Sequence, residues 1–193
     1  LDGKKRLIVG VSGASGVALA MDFLAALKET PGVETHLVVT AAAERTLELE
    51  EKSGLQALAR LADFAYDIRD IGASIASGTF KTAGMAVIPC SMKTVAGIAS
   101  GYSDNLLLRA ADVTLKERRK LVLVVRESPF STIHLRNMLE LSQAGAVILP
   151  AMITCYNALS AGAEMRRHIV GKALDQFGID NDCVYRWDRS GAQ

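Results

Sequence analysis

The chain has 193 residues, half of them hydrophobic, with a formal net charge of +1. That length suits one domain with a substantial core, and that composition excludes a disordered polymer. A near-zero charge gives no global field for nucleic acid or an acidic membrane, and no apolar stretch approaches a membrane span.

Arg6–Val11 is a short Val/Ile/Leu-rich run, as a buried parallel strand should be. It is too short for a signal peptide. It leads straight into Ser12-Gly13-Ala14-Ser15-Gly16 and then a helix over Val17–Glu29. Glu34–Val39 reads as the second strand and ends in Thr40. Helices over Ala41–Glu51 and Leu55–Ala62 follow, and Tyr66–Ile71 is a candidate further strand. The next strand, Gly84–Pro89, opens into Cys90-Ser91-Met92-Lys93-Thr94, with helices over Thr94–Ser100 and Asn105–Arg119. Lys120–Val125 ends in Arg126-Glu127-Ser128-Pro129. A helix over Ile133–Ala144, a strand over Ala144–Leu149 and a last helix from about Ala161 to Phe177 complete the alternation, with Gly178 as the stop. Strands alternating with helices predict an α/β fold: a doubly wound parallel sheet in a three-layer, Rossmann-like or flavodoxin-like sandwich, one domain over residues 1–193. The tail after Gly178, with Tyr185 and Trp187, is expected to dock on its own chain or on a neighbour.

In open α/β sheets, ligands sit beyond the carboxyl ends of the strands, and the unusual polar residues of this chain collect there. The first turn lacks both the dinucleotide spacing G-x-G-x-x-G and the Walker spacing. Its glycines and its hydroxyls Ser12 and Ser15 suggest a mononucleotide or flavin phosphate site; a tight turn with glycines for packing is the plain alternative. Ser91, Lys93 and Thr94 open a helix, where they can hold an anion or simply cap it. Arg109, Asp112 and Lys116 share one helix face, as a solvated surface also would. Arg126-Glu127, directly after a buried strand, offers a phosphate fork and a proton-transfer group, or a local ion pair. Cys90, Cys155 and Cys183 match neither a zinc nor a C-x-x-C pattern, which points to reduced thiols in the cytoplasm. His36, His134 and His168 are scattered, so no metal site is expected.

Four strings together resemble the flavin prenyltransferase family of the UbiX type, which includes small subunits of phenolic acid decarboxylase systems. They are Gly13-Ala14-Ser15-Gly16, Pro89-Cys90-Ser91-Met92-Lys93-Thr94, Arg109-Ala110-Ala111-Asp112-Val113 running into Leu115-Lys116-Glu117-Arg118, and Arg126-Glu127-Ser128-Pro129 followed by Ile133-His134-Leu135. The likeness spans roughly Lys5 to Trp187. It implies a homo-oligomer, usually a dodecamer, that binds FMN without a metal. It implies transfer of a dimethylallyl group from dimethylallyl phosphate to N5 and C6 of the reduced flavin, for use by a UbiD-type decarboxylase.

Carried over residue by residue, the resemblance assigns FMN binding to Gly13, Ala14, Ser15, Thr40, Ser91, Met92, Lys93, Thr94, Arg126 and Trp187. It assigns the dimethylallyl phosphate to Arg109, Lys116, Arg126, Tyr156 and Lys172. Ser15 and Glu127 are the implied proton-handling pair, with Glu50 as a further acid. This chain departs from the family at Thr40 (commonly Ser), Val125 (Pro), Arg136 (acidic), Lys172 (often Arg) and in the loop around Tyr156, which loses its rigid neighbours. Two functions therefore stand: a flavin prenyltransferase, or an FMN-binding carrier or decarboxylase-associated flavoprotein with lost or altered prenyl transfer. A cysteine decarboxylase on the same scaffold is a third, disfavoured by the lack of a His in the phosphate turns.

Overall fold

The computed structural model describes residues 3–153, 162–184 and 186. Among the described residues, the apolar runs form six parallel strands: β1 (Lys5–Val11), β2 (Val33–Val39), β3 (Phe64–Tyr66), β4 (Gly84–Cys90), β5 (Lys120–Val125) and β6 (Val147–Pro150). They lie in the order β3-β2-β1-β4-β5-β6, with β1 parallel to both β2 and β4. That is the Rossmann order, in which the direction of winding reverses between β1 and β4.

Side chains alternate across the sheet with a period of two, so each strand feeds two cores. Leu7, Val9 and Val11 of β1 point into one layer with α1 (Ala18–Lys28), α2 (Ala41–Glu50), α3 (Leu55–Ala59) and α7 (Gly162–Gln176). Ile8 points into the other with α4 (Met92–Ala99), α5 (Leu106–Lys116) and α6 (Thr132–Gln143). Phe23, Leu24 and Leu27 of α1 are buried on its sheet face. Each such side chain removed from water contributes roughly 1.5–3 kcal/mol, which is why short strands suffice.

Three expectations change at their ends. The candidate strand Tyr66–Ile71 is instead Phe64–Tyr66, because Asp67 turns the chain: its carboxylate accepts from the Arg69 amide at 2.9 Å and its carbonyl from the Asp70 amide. Residues 144–146 close α6 rather than start β6. Gly145 takes φ +98° and the Ala146 amide returns to the Leu141 carbonyl. The helix expected from Thr94 starts at Met92, because the Ser91 side chain caps it.

The described part of the tail packs on α7 of its own chain. Arg186 grips the Asp175 carboxylate with two hydrogen bonds of 2.7 and 2.8 Å. Asn181 donates to the Asp175 carboxylate and to the Gly171 carbonyl. Tyr185 and Trp187 lie outside the described residues.

His36 of β2 is buried and spent on structure. One ring nitrogen meets the Tyr66 hydroxyl at 2.9 Å, the other the Glu34 carboxylate at 3.0 Å. The ring stacks on Phe64. Burial pushes the His36 pKa down, and the bond and charge of Glu34 only partly restore it. The unfolded chain therefore binds a proton at His36 more readily than the native one. Stability from this group is complete above its ordinary pKa of 6.5 and falls as the pH drops below it. Urea unfolding from pH 8 to 5 should show a midpoint that declines below pH 6.5, and His36→Gln should flatten that decline.

Candidate functional site

The carboxyl edge of the sheet is stitched by single backbone bonds from one strand end to the next. The Thr40 amide reaches the Val11 carbonyl, Ser12 reaches Pro89, Arg126 reaches Cys90, and Ala151 reaches Val125. At the reversal between β1 and β4, α1 leaves to one face and α4 to the other, so a crevice must open there. Ser12 holds its base. Its buried hydroxyl donates to the Pro89 carbonyl at 3.1 Å and accepts from the Ser91 amide at 2.8 Å.

Two helices begin at this crevice. Thr40 caps α2 by accepting from the Ala43 amide. Ser91 caps α4 by accepting from the Thr94 amide, and its hydroxyl also lies 3.2 Å from that of Thr94. Both residues adopt extended backbone, as N-caps do. Free amides and the positive ends of both helix dipoles therefore face the same space, and Lys93 adds an exposed cation.

That space is a cavity of about 930 Å³, with Gly13, Thr40, Ser91, Lys93 and Thr94 on its wall. Ile68, Leu107, Leu108 and Ile133 give it apolar faces. A volume of that order, mostly apolar with a few convergent polar groups, suits a flavin mononucleotide. Sequence reasoning missed Ile68, Tyr102, Asn105, Asn137 and Glu140, which also line it. None of them follows a strand directly, and only the packing of α5 and α6 on α4 brings them together.

Ser15, Glu50 and Arg126 converge beside the cavity. The Glu50 carboxylate, at the end of α2, accepts from the Gly16 amide at 2.9 Å and the Val17 amide at 3.1 Å. Partial burial pushes the Glu50 carboxyl up. The hydrogen bonds from Ser15, Gly16 and Val17, with the Arg126 charge, outweigh it and hold the group below the usual carboxylate range. Gly16, at φ +99°, supplies the left-handed turn that aims its amide at Glu50. Gly13 packs against the first turn of α2 so closely that a Cβ there would lie 2.5 Å from that of Ala42.

Other expected residues are placed less directly. Met92 is buried in the core under α4, so only its backbone faces the turn. Ala14 is buried, its amide on the Ser12 carbonyl. Glu127 is exposed at the sheet edge and folds back on its own turn, accepting from the Ser128 amide at 2.9 Å. Arg109 sits one turn into α5 with its guanidinium on Asp112 at 2.8 Å, off the cavity wall. Lys116 pairs with Glu117 at the far end of α5, next to the amino end of β5. Lys172 is exposed on α7, nearer the Phe177 carbonyl that Lys5 holds at the amino edge of β1. The protomer therefore places Lys116 and Lys172 toward the amino edge of the sheet, away from Arg126, and turns the Arg109 guanidinium onto Asp112. Tyr156, like Trp187, lies outside the described residues. Cys90 is fully buried and burial pushes its thiol well up, which removes it as a nucleophile. Among the described residues no His/Cys/Asp/Glu group could hold a metal ion, and no helix is long and apolar enough to cross a membrane.

The depressed Glu50 pKa carries a stability term that is present above its ordinary value of 4.5 and is lost as the pH falls through the lower native value. Glu50→Gln should lower stability at pH 7 by about 1 kcal/mol or less, because the group is partly solvated. Chemical denaturation at pH 7 and at pH 3 should show a wider gap at the first than at the second.

The chain matches the flavoprotein family model over residues 1–177. It is 51% identical to a probable UbiX-like flavin prenyltransferase of Sedimentibacter hydroxybenzoicus, over 95% of this chain and 97% of that one. Among solved structures it resembles a dodecameric FMN-dependent UbiX-like decarboxylase from Escherichia coli O157:H7, with TM-score 0.93 and 51% identity over 95% and 99% of the two chains. It also resembles AnUbiX in complex with FMN and dimethylallyl pyrophosphate, with TM-score 0.93 and 45% identity over 96% and 98%. A carboxyl-edge cavity between two capped helices, on a Rossmann-ordered sheet, thus comes with half-identical relatives along nearly the whole chain, and the protein belongs to the flavoprotein family and, within it, to the UbiX-like flavin prenyltransferases.

Proposed function

We propose that this protein is a flavin prenyltransferase that joins a dimethylallyl group, donated as its phosphate, to reduced FMN. The observation that carries this reading is the single cavity wall shared by Gly13, Thr40, Ser91, Lys93 and Thr94, with Ser15, Glu50 and Arg126 beside it. Reduced FMN, when bound, supplies the nucleophilic ring atoms. The helix starts at Thr40 and Ser91 and the cations Lys93 and Arg126 hold phosphate, which is where an allylic phosphate leaves as an anion. Ser15, hydrogen-bonded to an ionised Glu50, is oriented to pass a proton. Glu127, next to Arg126 and exposed at the same edge, is the base that takes protons from the acceptor.

Arg109, Lys116 and Lys172 complete the phosphate site from neighbouring subunits in this reading. Two observations support an assembly. A half-identical relative is dodecameric, and Ile133, Leu135 and Leu139 of α6, with Met152 and Ile153, are large exposed apolar side chains, Ile133 among them on the cavity wall. Tyr156 and Trp187 are assigned to the same site by their place in the sequence. The product passes to a UbiD-type decarboxylase in the cytoplasm, where Cys90 and Cys183 stay reduced.

Anaerobic incubation with reduced FMN and dimethylallyl phosphate should release a flavin heavier by one five-carbon unit. Unchanged FMN, in conditions where a known flavin prenyltransferase works, would leave only a flavin-binding protein. Glu127→Gln should slow transfer by about a hundredfold or more while FMN affinity stays the same; loss of FMN in step with activity would remove the assigned role.

A further inference from the structure

We infer that Glu50 is a specificity-determining residue that makes the flavin site accept a mononucleotide and reject a dinucleotide. The inference rests on the FMN reading above and deepens it. The strand order of this sheet is the one in which a dinucleotide lays its pyrophosphate on the amides that open α1. Here those amides are taken. Gly16 and Val17 donate at 2.9 and 3.1 Å to Glu50, which remains ionised because Ser15 and Arg126 favour its charged form. A carboxylate of the chain itself fills the second anion seat. A pyrophosphate arriving there would lose its donors and meet a like charge.

Two further features agree. A dinucleotide needs an acidic side chain at the end of β2 to hold its ribose hydroxyls. This chain has Thr40 there, followed by Ala41, Ala42 and Ala43, and Thr40 is spent on capping α2. The turn glycine that would let a pyrophosphate approach is Gly13, and its open side is packed on Ala42 instead. Gly13 and Ala42 reach the wall of the cavity, and there Thr40, Ser91 and Lys93 leave room for one phosphate. Glu50 thus closes the amides at the start of α1 to a second phosphate.

The experiment is a pair of binding titrations, FMN and FAD, on the full chain and on Glu50→Ala and Glu50→Gln, with circular dichroism to confirm folding. The full chain should bind FMN and discriminate strongly against FAD. Glu50→Ala, which empties the seat, should narrow that discrimination at least tenfold through tighter FAD binding. Glu50→Gln keeps the shape and the acceptor but removes the charge, and should narrow it by a smaller factor. Unchanged discrimination in the folded Gln variant would overturn the inference, whatever the Ala variant does. Equal affinity of the native protein for FAD and FMN would overturn it while leaving flavin binding intact. A native protein that takes neither flavin would remove the FMN reading itself.

Discussion

The site depends on one buried hydroxyl. Ser12 stands where β1 and β4 part, and it bonds to the carbonyl of Pro89 and the amide of Ser91. Strands that diverge toward helices on opposite faces leave polar backbone at the point of separation, and unpaired backbone there would cost more than the bond contributes. Ser12 satisfies that backbone within the chain. With the base of the crevice closed, the cap Ser91 is held in position, α4 starts at Met92, and its amides face the cavity. Shift Ser12, and the geometry of the α4 start goes with it.

The first turn and the ends of the later strands share the work unequally. A glycine-rich turn at the start of α1 has the form of a phosphate cradle, yet its amides go to Glu50. In the proposed function, phosphate recognition falls to the starts of α2 and α4, where Thr40 and Ser91 use their side chains as caps. The carboxylate that occupies α1 is no idle plug. It bonds to Ser15 and lies within reach of the Arg126 charge, so in the proposed function the group that closes one anion seat also serves the proton relay.

The chemistry-bearing residues fall in two sets with different demands. Ser15, Thr40, Ser91, Lys93 and Arg126 follow directly after strands, and the backbone stitches between strand ends bring them to one edge. Arg109, Lys116 and Lys172 lie on helices, and a helix runs from the carboxyl edge back to the amino edge. A residue's height on the helix then decides which edge it serves. Lys116 ends α5 beside Glu117, and Lys172 sits well along α7. Leu135 and Leu139 of α6 are large exposed apolar side chains, which agrees with the proposal that contact between copies finishes the site.

Much of this was legible in the residues alone. Short Val/Ile/Leu-rich runs alternating with helical segments read as buried parallel strands, and polar residues right after such strands lie at one edge of a parallel sheet. That logic reached Thr40, Ser91 and Arg126 without coordinates. The short strand at Phe64 was misplaced, because Asp67 ends it through a local turn that competes with apolar residues further on. Tertiary structure alone decided the partner of Gly16 and Val17. Glu50 is thirty-four residues from Gly16, and periodicity describes only near neighbours; its carboxylate meets α1 because α2 packs against the first turn at Gly13 and Ala42. Sequence patterns thus determined which edge of the sheet carries the chemistry. The packing of one helix on another decided which anion sits at each helix start, since charge and distance in space, rather than order along the chain, govern that choice.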